Sequence, residues 1–324
     1  MSHLHFSPED FAPVHYDNTA GERLSRPSLS FGRSVWLQLR RDPVVLLCLV
    51  ILALIALGAV FFPMLSPFGY AEQNITFSNK PFFSPDPLTG AIHWFGTDHL
   101  GRDLFTRAWY GARVSLTVAF SVAFIDCAVG IVYGGLSGYL GGRADQLMMR
   151  LLEVISGIPY LIVVLLLMAV FPRGLLTLII AYSLVGWTSM ARLVRGQVVS
   201  LKEQEFMVAG RIMGGGAGRM IFRHLVPNMM GLIIVNLTMD IPNVIFTEAF
   251  LSLLGMGIAP PYPSWGVMAN EGMAAFRSYP GQLAVPALLI CLTMLAFNLL
   301  GDRLQDALDP KLRRPLSRGR RAKD

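Results

Sequence analysis

The sequence predicts an all-α integral membrane protein with six transmembrane helices. Three observations lead there. Of the 324 residues, 53% are hydrophobic and only 15% are charged, whereas a soluble globular domain carries about 25% charged residues. Six apolar stretches are long enough for helices that cross a bilayer. The 27 Lys and Arg residues also fall unevenly on the segments between those stretches, as they do when a membrane sorts them.

Residues 1–41 are polar and read as a tail, with a short amphipathic helix expected around Phe31 to Leu39. The first apolar run starts too late and is too long for a cleavable signal peptide. Val44 to Phe62 is the first span, uncharged and closed by Pro63. Residues 63–112 form a long loop rich in Pro, Phe, Asn and Gly. Within it, Gly96-Thr97-Asp98 and Gly101-Arg102-Asp103 combine turn glycines with acids able to cap a helix starting at Leu104. His93, Asp98, His99 and Asp103 could suggest a metal, but capping and loop ion pairs account for them more simply.

Val114 to Leu136 is the second span. It contains Asp126, and its Gly130, Gly134 and Gly135 permit close helix packing. A short turn over Gly138 to Gln146 leads to the third span, Leu147 to Val170, with Glu153 inside and a kink expected at Pro159. After a tight loop at residues 171–174, Leu175 to Met190 is the fourth span, with Trp187 near its end where an interfacial aromatic belongs. Met229 to Phe250 is the fifth span, with Asp240 and Pro242 near its centre. Leu251 to Gln282 is a second long loop, Leu283 to Leu300 the sixth span, and Gly301 to Asp324 a basic end. The expected organisation is a tail (1–41), a first span with its loop (42–112), a core (113–303) and a basic tail (304–324).

Six spans put both ends on one side. With both ends and residues 192–223 inside, 21 of the 27 basic residues are cytoplasmic and 6 are outside, which orients the chain. The sequence pI near 9.4 then follows from topology, and nucleic acid is not expected as a partner. Anionic membrane lipid is expected against the C-terminal RRPLSRGRRAK run. Cys48, Cys127 and Cys291 all lie in apolar runs and form neither a metal spacing nor a disulfide framework. The chain has no Gly-x-x-x-x-Gly-Lys-Ser/Thr loop, no His-Glu-x-x-His and no Gly-x-Ser-x-Gly. It is therefore expected to be non-catalytic and to bind no cofactor or metal itself; any energy input must come from a partner.

Ionisable residues inside a membrane usually face a cavity, a partner helix or a pathway. Glu153 and Glu248 read as hydrogen-bonding groups near the interfaces. Asp240 reads equally well as structural or as lining a translocation path. Asp126, beside Cys127 and Ala128, reads better as part of a packed interface, though it too is a candidate for the path. A proton-coupled carrier or an intramembrane aspartyl protease would use these two aspartates as a pair.

The most informative stretch is Glu205 to Asn228, EFMVAGRIMGGGAGRMIFRHLVPN, polar and basic between two apolar runs. Phe206, Ala209, Ile212 and Met213 share one helical face by spacing. Gly214 to Gly216 then allow a stop at positive φ. Met220, Ile221 and Leu225 repeat the helical period before Pro227 closes it. Helix, glycine turn, helix and proline stop make an elbow on one side of the membrane.

Ala209-Gly210, then Gly214, then Pro227 thirteen residues later resemble the coupling loop of ABC-importer membrane subunits. The family pattern is Glu-Ala-Ala, three residues, Gly, nine residues, Ile-x-Leu-Pro. Here the first three positions read Val208-Ala209-Gly210, and the Ile and Leu positions read His224 and Val226. Glu205-Phe206 matches the Glu-Tyr/Phe of the peptide branch. The likeness runs from about Phe31 to Leu312. It includes FGTDHLGRD, YGARVSL, GGRADQLMMR, FLSLLGMGI, PSWGVM and FNLLGDRLQDALDPKL, with Arg303 where Gly usually follows Gly-Asp. GWTSMARLVRGQ resembles the oligopeptide members more than the dipeptide or nickel members.

The resemblance implies the type I ABC importer permease fold in a bacterial cytoplasmic (inner) membrane. It implies a homologous second permease subunit, two ATPase subunits that bind ATP and Mg2+, an extracytoplasmic solute-binding protein, and a peptide substrate. Segment 197–228 would be the coupling loop, with Glu205, Phe206, Ala209, Gly210, Arg211, Gly214 and Pro227 at the ATPase contact. Ala209 and Gly210 would leave room for the partner's surface.

Overall fold

The computed structural model describes Leu37 and residues 39–308. The expected tail helix around Phe31 to Leu39 lies almost wholly outside the described residues, as does the lipid-binding C-terminal run.

Helix α1 is Pro43–Leu65. Asp42 caps it, accepting from the Val44 N–H at 2.9 Å, and Pro43 supplies a first-turn φ at no cost in hydrogen bonds. Pro63 sits inside the last turn rather than ending the helix. Residues 66–103 follow as a compact cap. It contains a 3-10 turn at Ile75–Phe77 and a two-stranded antiparallel ribbon, β1 (Ser84–Pro85) paired with β2 (Ile92–His93).

Helix α2, Leu104–Leu140, is 37 residues long, about 55 Å at 1.5 Å per residue. It begins ten residues before the expected span because Asp103 caps it, accepting from the Thr106 N–H at 2.7 Å. The turn expected over Gly138 to Gln146 contracts to Gly141 and Gly142, with φ of 67° and 57°. Helix α3, Gly142–Gly157, and helix α4, Tyr160–Val170, meet at a 71° bend. The expected kink is thus a break. Pro159 lacks an N–H and pushes Ile158 to extended angles (φ −86°, ψ 127°), as the residue before a proline prefers.

Helix α5, Leu175–Leu201, runs eleven residues past the expected Met190. Helices α6 (Glu205–Ile212) and α7 (Ala217–Met220) and a π turn at Ile221–Leu225 make the elbow. Helix α8 is Val226–Leu253, α9 is Trp265–Ala275 and α10 is Pro280–Leu308. Among the described residues five helices are long and apolar enough to cross a membrane, and the bent α3–α4 pair, taken as one span, makes six. The all-α membrane expectation holds, with five to six candidate spans.

The α2–α5 pair is the spine. A Cβ on Gly130 would press into the Met190 side chain, one on Gly134 would strike the Ala191 carbonyl, and one on Gly138 would meet the Arg195 carbonyl and Val198. Glycines one turn apart therefore let the two backbones approach, since apolar packing in lipid relies on contact rather than on water exclusion. On the same helix the buried Trp265 ring donates its Nε1–H to the Ala108 carbonyl at 3.0 Å, fixing α9 across the start of α2. At the other end Arg303 lies 3.7 Å from Asp42, joining α10 to the cap of α1.

Candidate functional site

The elbow is built on helix α6, which at eight residues is too short to be stable alone. Glu205 opens it, an acid in the first turn where the helix dipole favours negative charge. Its inner face is Met207 and Gly210, both buried. They join Val194, Val198, Met220, Ile221 and Leu225 in a core of their own at this end of the molecule. The face expected from spacing is therefore not the buried one: Phe206 is half-buried, Ala209 is exposed, and Ile212 and Met213 are 82% and 76% exposed. With apolar residues nearly all round α6, periodicity could not choose the inner face.

Gly214 ends α6 as expected, at φ 78°. The Gly214 N–H donates to the Arg211 carbonyl (2.9 Å) and the Gly215 N–H to the Gly210 carbonyl (3.1 Å). That double bond pattern satisfies the last carbonyls and requires the left-handed residue that glycine supplies. A Cβ on Gly210 would meet the Met220 sulfur and methyl, so its bare backbone makes room for Met220 within the chain. Pro227 does not stop the second helix either. It lies in the first turn of α8, and the Val226 N–H reaches back five residues to the Ile221 carbonyl. Widening one turn in this way removes the clash between a proline ring and the carbonyl four residues earlier.

The elbow is tied to the spine. Arg211 donates to the Lys202 carbonyl at 3.4 Å and lies over the Tyr139 ring at 5.5 Å. Lys202 Nζ donates to the Gly138 carbonyl at 3.1 Å. Arg195 grips Asp145 with two bonds of 2.9 and 2.6 Å, and Ser137 donates to the same carboxylate at 2.5 Å. These contacts join the ends of α2 and α5 and the start of α3 to the elbow. Outward it shows Val208, Ile212, Met213 and Phe222, all exposed.

The intramembrane acids separate into two kinds. Glu248 is buried and accepts from Ser115 (3.1 Å), Ser252 (3.0 Å) and Ser264 (2.6 Å). It is a structural hydrogen-bonder, as the sequence suggested. Glu153 is exposed and paired with Arg150 at 2.9 Å. Asp126 is 3% exposed, and its Oδ1 has no partner among the described residues. The Gly186 backbone packs on its carboxylate so closely that a Cβ could not fit. Asp240 is half-buried on α8.

In the cap, the cluster that could suggest a metal is a capping and ion-pair network. His93 Nδ1 lies 2.8 Å from Asp103 Oδ1. Asp98 accepts from the Arg102 backbone N–H (2.9 Å) and from its Nε (2.6 Å), and His99 points to solvent. Glu271 on α9 accepts from Arg102 at 2.9 Å and Arg107 at 2.7 Å. Nothing in the local sequence pointed to Glu271, which lies more than 160 residues from its partners.

Residues 130–314 match the family described as binding-protein-dependent transport system inner membrane component. The chain belongs to this family. Residues 30–81 match the N-terminal TM domain of oligopeptide transport permease C. The chain is 45% identical over 304 residues to the oligopeptide transport system permease protein OppC of Bacillus subtilis (strain 168), covering 94% of this chain and 97% of that one. It is 49% identical over 298 residues to the dipeptide transport system permease protein DppC of the same organism, covering 92% and 91%. It is 41% identical over 284 residues to OppC of Escherichia coli (strain K12), covering 86% and 92%. Membership in this family makes the chain a membrane transport component and removes the protease and secondary-carrier readings of the aspartate pair.

Proposed function

We propose that this chain is one permease subunit of an ATP-driven, binding-protein-dependent importer of oligopeptides. A homologous permease would supply the other half of the path, two ATPase subunits the ATP and Mg2+ chemistry, and an extracytoplasmic binding protein the peptide. The charge split supports a bacterial inner-membrane orientation with both ends and the elbow in the cytoplasm. In this reading segment 197–228 is the coupling loop, and Glu205, Phe206 and Ala209 lie at the ATPase contact. Arg211, Gly214 and Pro227, exposed on the same elbow, complete that contact.

The observation that carries the reading is the elbow's outward apolar face, Val208, Ile212, Met213 and Phe222, on an elbow that its own chain ties to α2 and the end of α5. A cluster of exposed apolar groups outside the bilayer marks a surface for a partner to cover. The test is co-purification of the ATPase subunits with Ile212→Asp and Met213→Asp. Each variant is expected to insert normally, lose most of the ATPase subunits and lose stimulation of ATP hydrolysis by loaded binding protein. Full retention and stimulation in both would overturn the assignment.

A dipeptide importer is the second reading, favoured by the 49% identity to a dipeptide permease. Mass spectrometry of the peptides carried by the cognate binding protein separates the two by length.

A further inference from the structure

Helix α8 carries a polar stripe. Asn236, Asp240, Asn243 and Thr247 recur at spacings of four, three and four, and so share an arc of about 60° at 3.6 residues per turn. Asn243 is exposed and the other three are partly so. The remaining polar side chains between residues 229 and 250 are settled within the chain. Thr238 donates to the Ile234 carbonyl at 2.8 Å, and Glu248 is the buried acceptor of three serines. The stripe crosses the middle of α8 and rises about 16 Å, about half the hydrocarbon thickness of a bilayer.

Lipid does not suit this face. Residues 44–62 of α1 and 161–171 of α4 hold no charged, amide or hydroxyl side chain, and Leu54, Leu57, Leu166 and Val170 stand exposed there. Amides and a carboxyl turned to hydrocarbon would lose hydrogen bonds that nothing there replaces. Nor is the face shaped for close packing on another helix, which small residues favour. Where α2 meets α5, the chain uses Gly130, Gly134 and Gly138. Residues 232–248 hold no Gly or Ala, and Phe246 and Phe250 stand exposed beside the stripe. Water suits it, and so does anything that hydrogen-bonds as water does. A side-chain amide offers two donors and an acceptor. Asn243 spends one N–H on the Met239 carbonyl at 3.1 Å, which leaves its second N–H and its oxygen. Thr247 donates to the Asn243 backbone carbonyl at 2.8 Å and keeps its hydroxyl oxygen as an acceptor. Asp240 can accept whether or not it is ionised.

We propose that the stripe Asn236, Asp240, Asn243 and Thr247 lines a hydrated path and hydrogen-bonds the backbone of the passing peptide. This rests on the peptide-permease reading above. Every peptide presents N–H and C=O groups in alternation, whatever its side chains, and an amide can meet both. An extended peptide rises about 3.3 Å per residue, so the stripe faces about five residues at once. Contact with the backbone lets one path accept many sequences. Several weak contacts that water can replace hold the peptide without trapping it, as transport requires.

The test uses the assembled importer, with its second permease and ATPase subunits, in vesicles, in a background of Cys48→Ala, Cys127→Ala and Cys291→Ala. Asn236→Cys, Asp240→Cys, Asn243→Cys and Thr247→Cys are each treated with 2-sulfonatoethyl methanethiosulfonate, which does not cross lipid and reacts with the thiolate that water allows. Labelling is read without nucleotide and with ATP and vanadate. In at least one state each is expected to label tenfold faster than Ile234→Cys, on the other side of α8, and Leu54→Cys on α1. Stripe cysteines that label no faster than these two in either state, as a face packed on the second permease would, overturn the proposal. With saturating binding protein, Asn243→Leu is expected to cut the turnover of uptake at least threefold, by the same factor for trialanine, triglutamate and trilysine, while Asn243→Gln keeps most of it. Wild-type turnover in Asn243→Leu, or a loss confined to one of the three peptides, overturns the backbone contact. A wild-type complex that imports none of the three would sink the parent reading and the backbone contact with it, whereas failed labelling in an importing complex sinks the stripe alone.

Discussion

The cap and the elbow stand at opposite ends of α2, and each turns on a glycine at nearly the same angle, Gly101 at φ 72° and Gly214 at φ 78°. Their surroundings differ. A Cβ on Gly101 would strike the Asn74 carbonyl, while one on Gly214 would meet nothing within 4 Å. At the cap and the start of α2, charged groups are buried and ion-paired: Arg102 is 4% exposed and Arg107 1%, with the Arg107 Nε and Nη1 left without a hydrogen-bond partner among the described residues. In the elbow, large apolar groups are outside and uncovered. The cap's shape is settled by its own hydrogen bonds, and buried polar groups tolerate no other arrangement. The elbow has a settled inner face and an outer apolar one left exposed by the described residues.

The largest effect that would break this contrast is expected at Glu271. Glu271→Ala leaves the buried Arg102 and Arg107 with only Asp98 between them. Removing one partner of a buried ion pair costs about 3–5 kcal/mol, and the 23% exposure of the Glu271 side chain places the effect at the low end. Thermal denaturation of the solubilised chain should show a clear loss of stability. Ile212→Asp, at the 82% exposed elbow position, should change stability by less than about 0.5 kcal/mol. Equal losses in the two variants would erase the distinction between a self-sufficient end and an incomplete one.

The paired glycines sharpen it. Gly214→Ala should cost about 1–2 kcal/mol, the left-handed penalty alone, and should raise protease cleavage near residue 214 without disturbing the rest of the chain. Gly101→Ala bears the same penalty and also a collision with backbone that has nowhere to go, so its loss should be distinctly larger. Comparable stability losses for the two would mean that the cap yields as readily as the elbow.

How much of this was legible in the sequence follows the same division. The spans were readable because bilayer thickness sets a length that hydropathy reports directly. Gly214 was readable because a helix stop is a local event, and Gly130 and Gly134 because small residues at helical spacing have one common use in a membrane. The inner face of α6 was not readable, since residues 206–209 and 212–213 are all apolar and the face is chosen by Met220 from the next helix. Pro227 misled because the rule that proline ends a helix assumes normal turns before it, and here the chain widens one. Helix α9 and Glu271 were missed because the ion pairs that matter there join parts of the chain that only the fold brings together.

The smallest expected effect is a pH dependence confined to the cap. Asp86, at the ribbon formed by β1 and β2, has its carboxyl held below the usual carboxylate range, first by the Thr89 backbone N–H and then by that of Leu88, with the Thr89 hydroxyl and His93 adding to it. Burial opposes them. A carboxyl lowered in the folded chain stabilises it at pH above the unfolded value, about 3.9, and that stability is lost as pH falls through the folded value. Hydrogen exchange of residues 83–93 should therefore rise below about pH 4 relative to an Asp86→Asn variant at the same pH, in which the extra acid sensitivity is absent. At neutral pH the variant should already exchange faster, because the amide accepts the Thr89 and Leu88 bonds without the charge that strengthens them. The elbow gives the contrast, for its acids, Glu203 and Glu205, are exposed, and exchange of residues 205–216 should show no such dependence. An acid-sensitive elbow, or a cap that exchanges alike in wild type and variant across this range, would show that Asp86 does not help hold the cap closed.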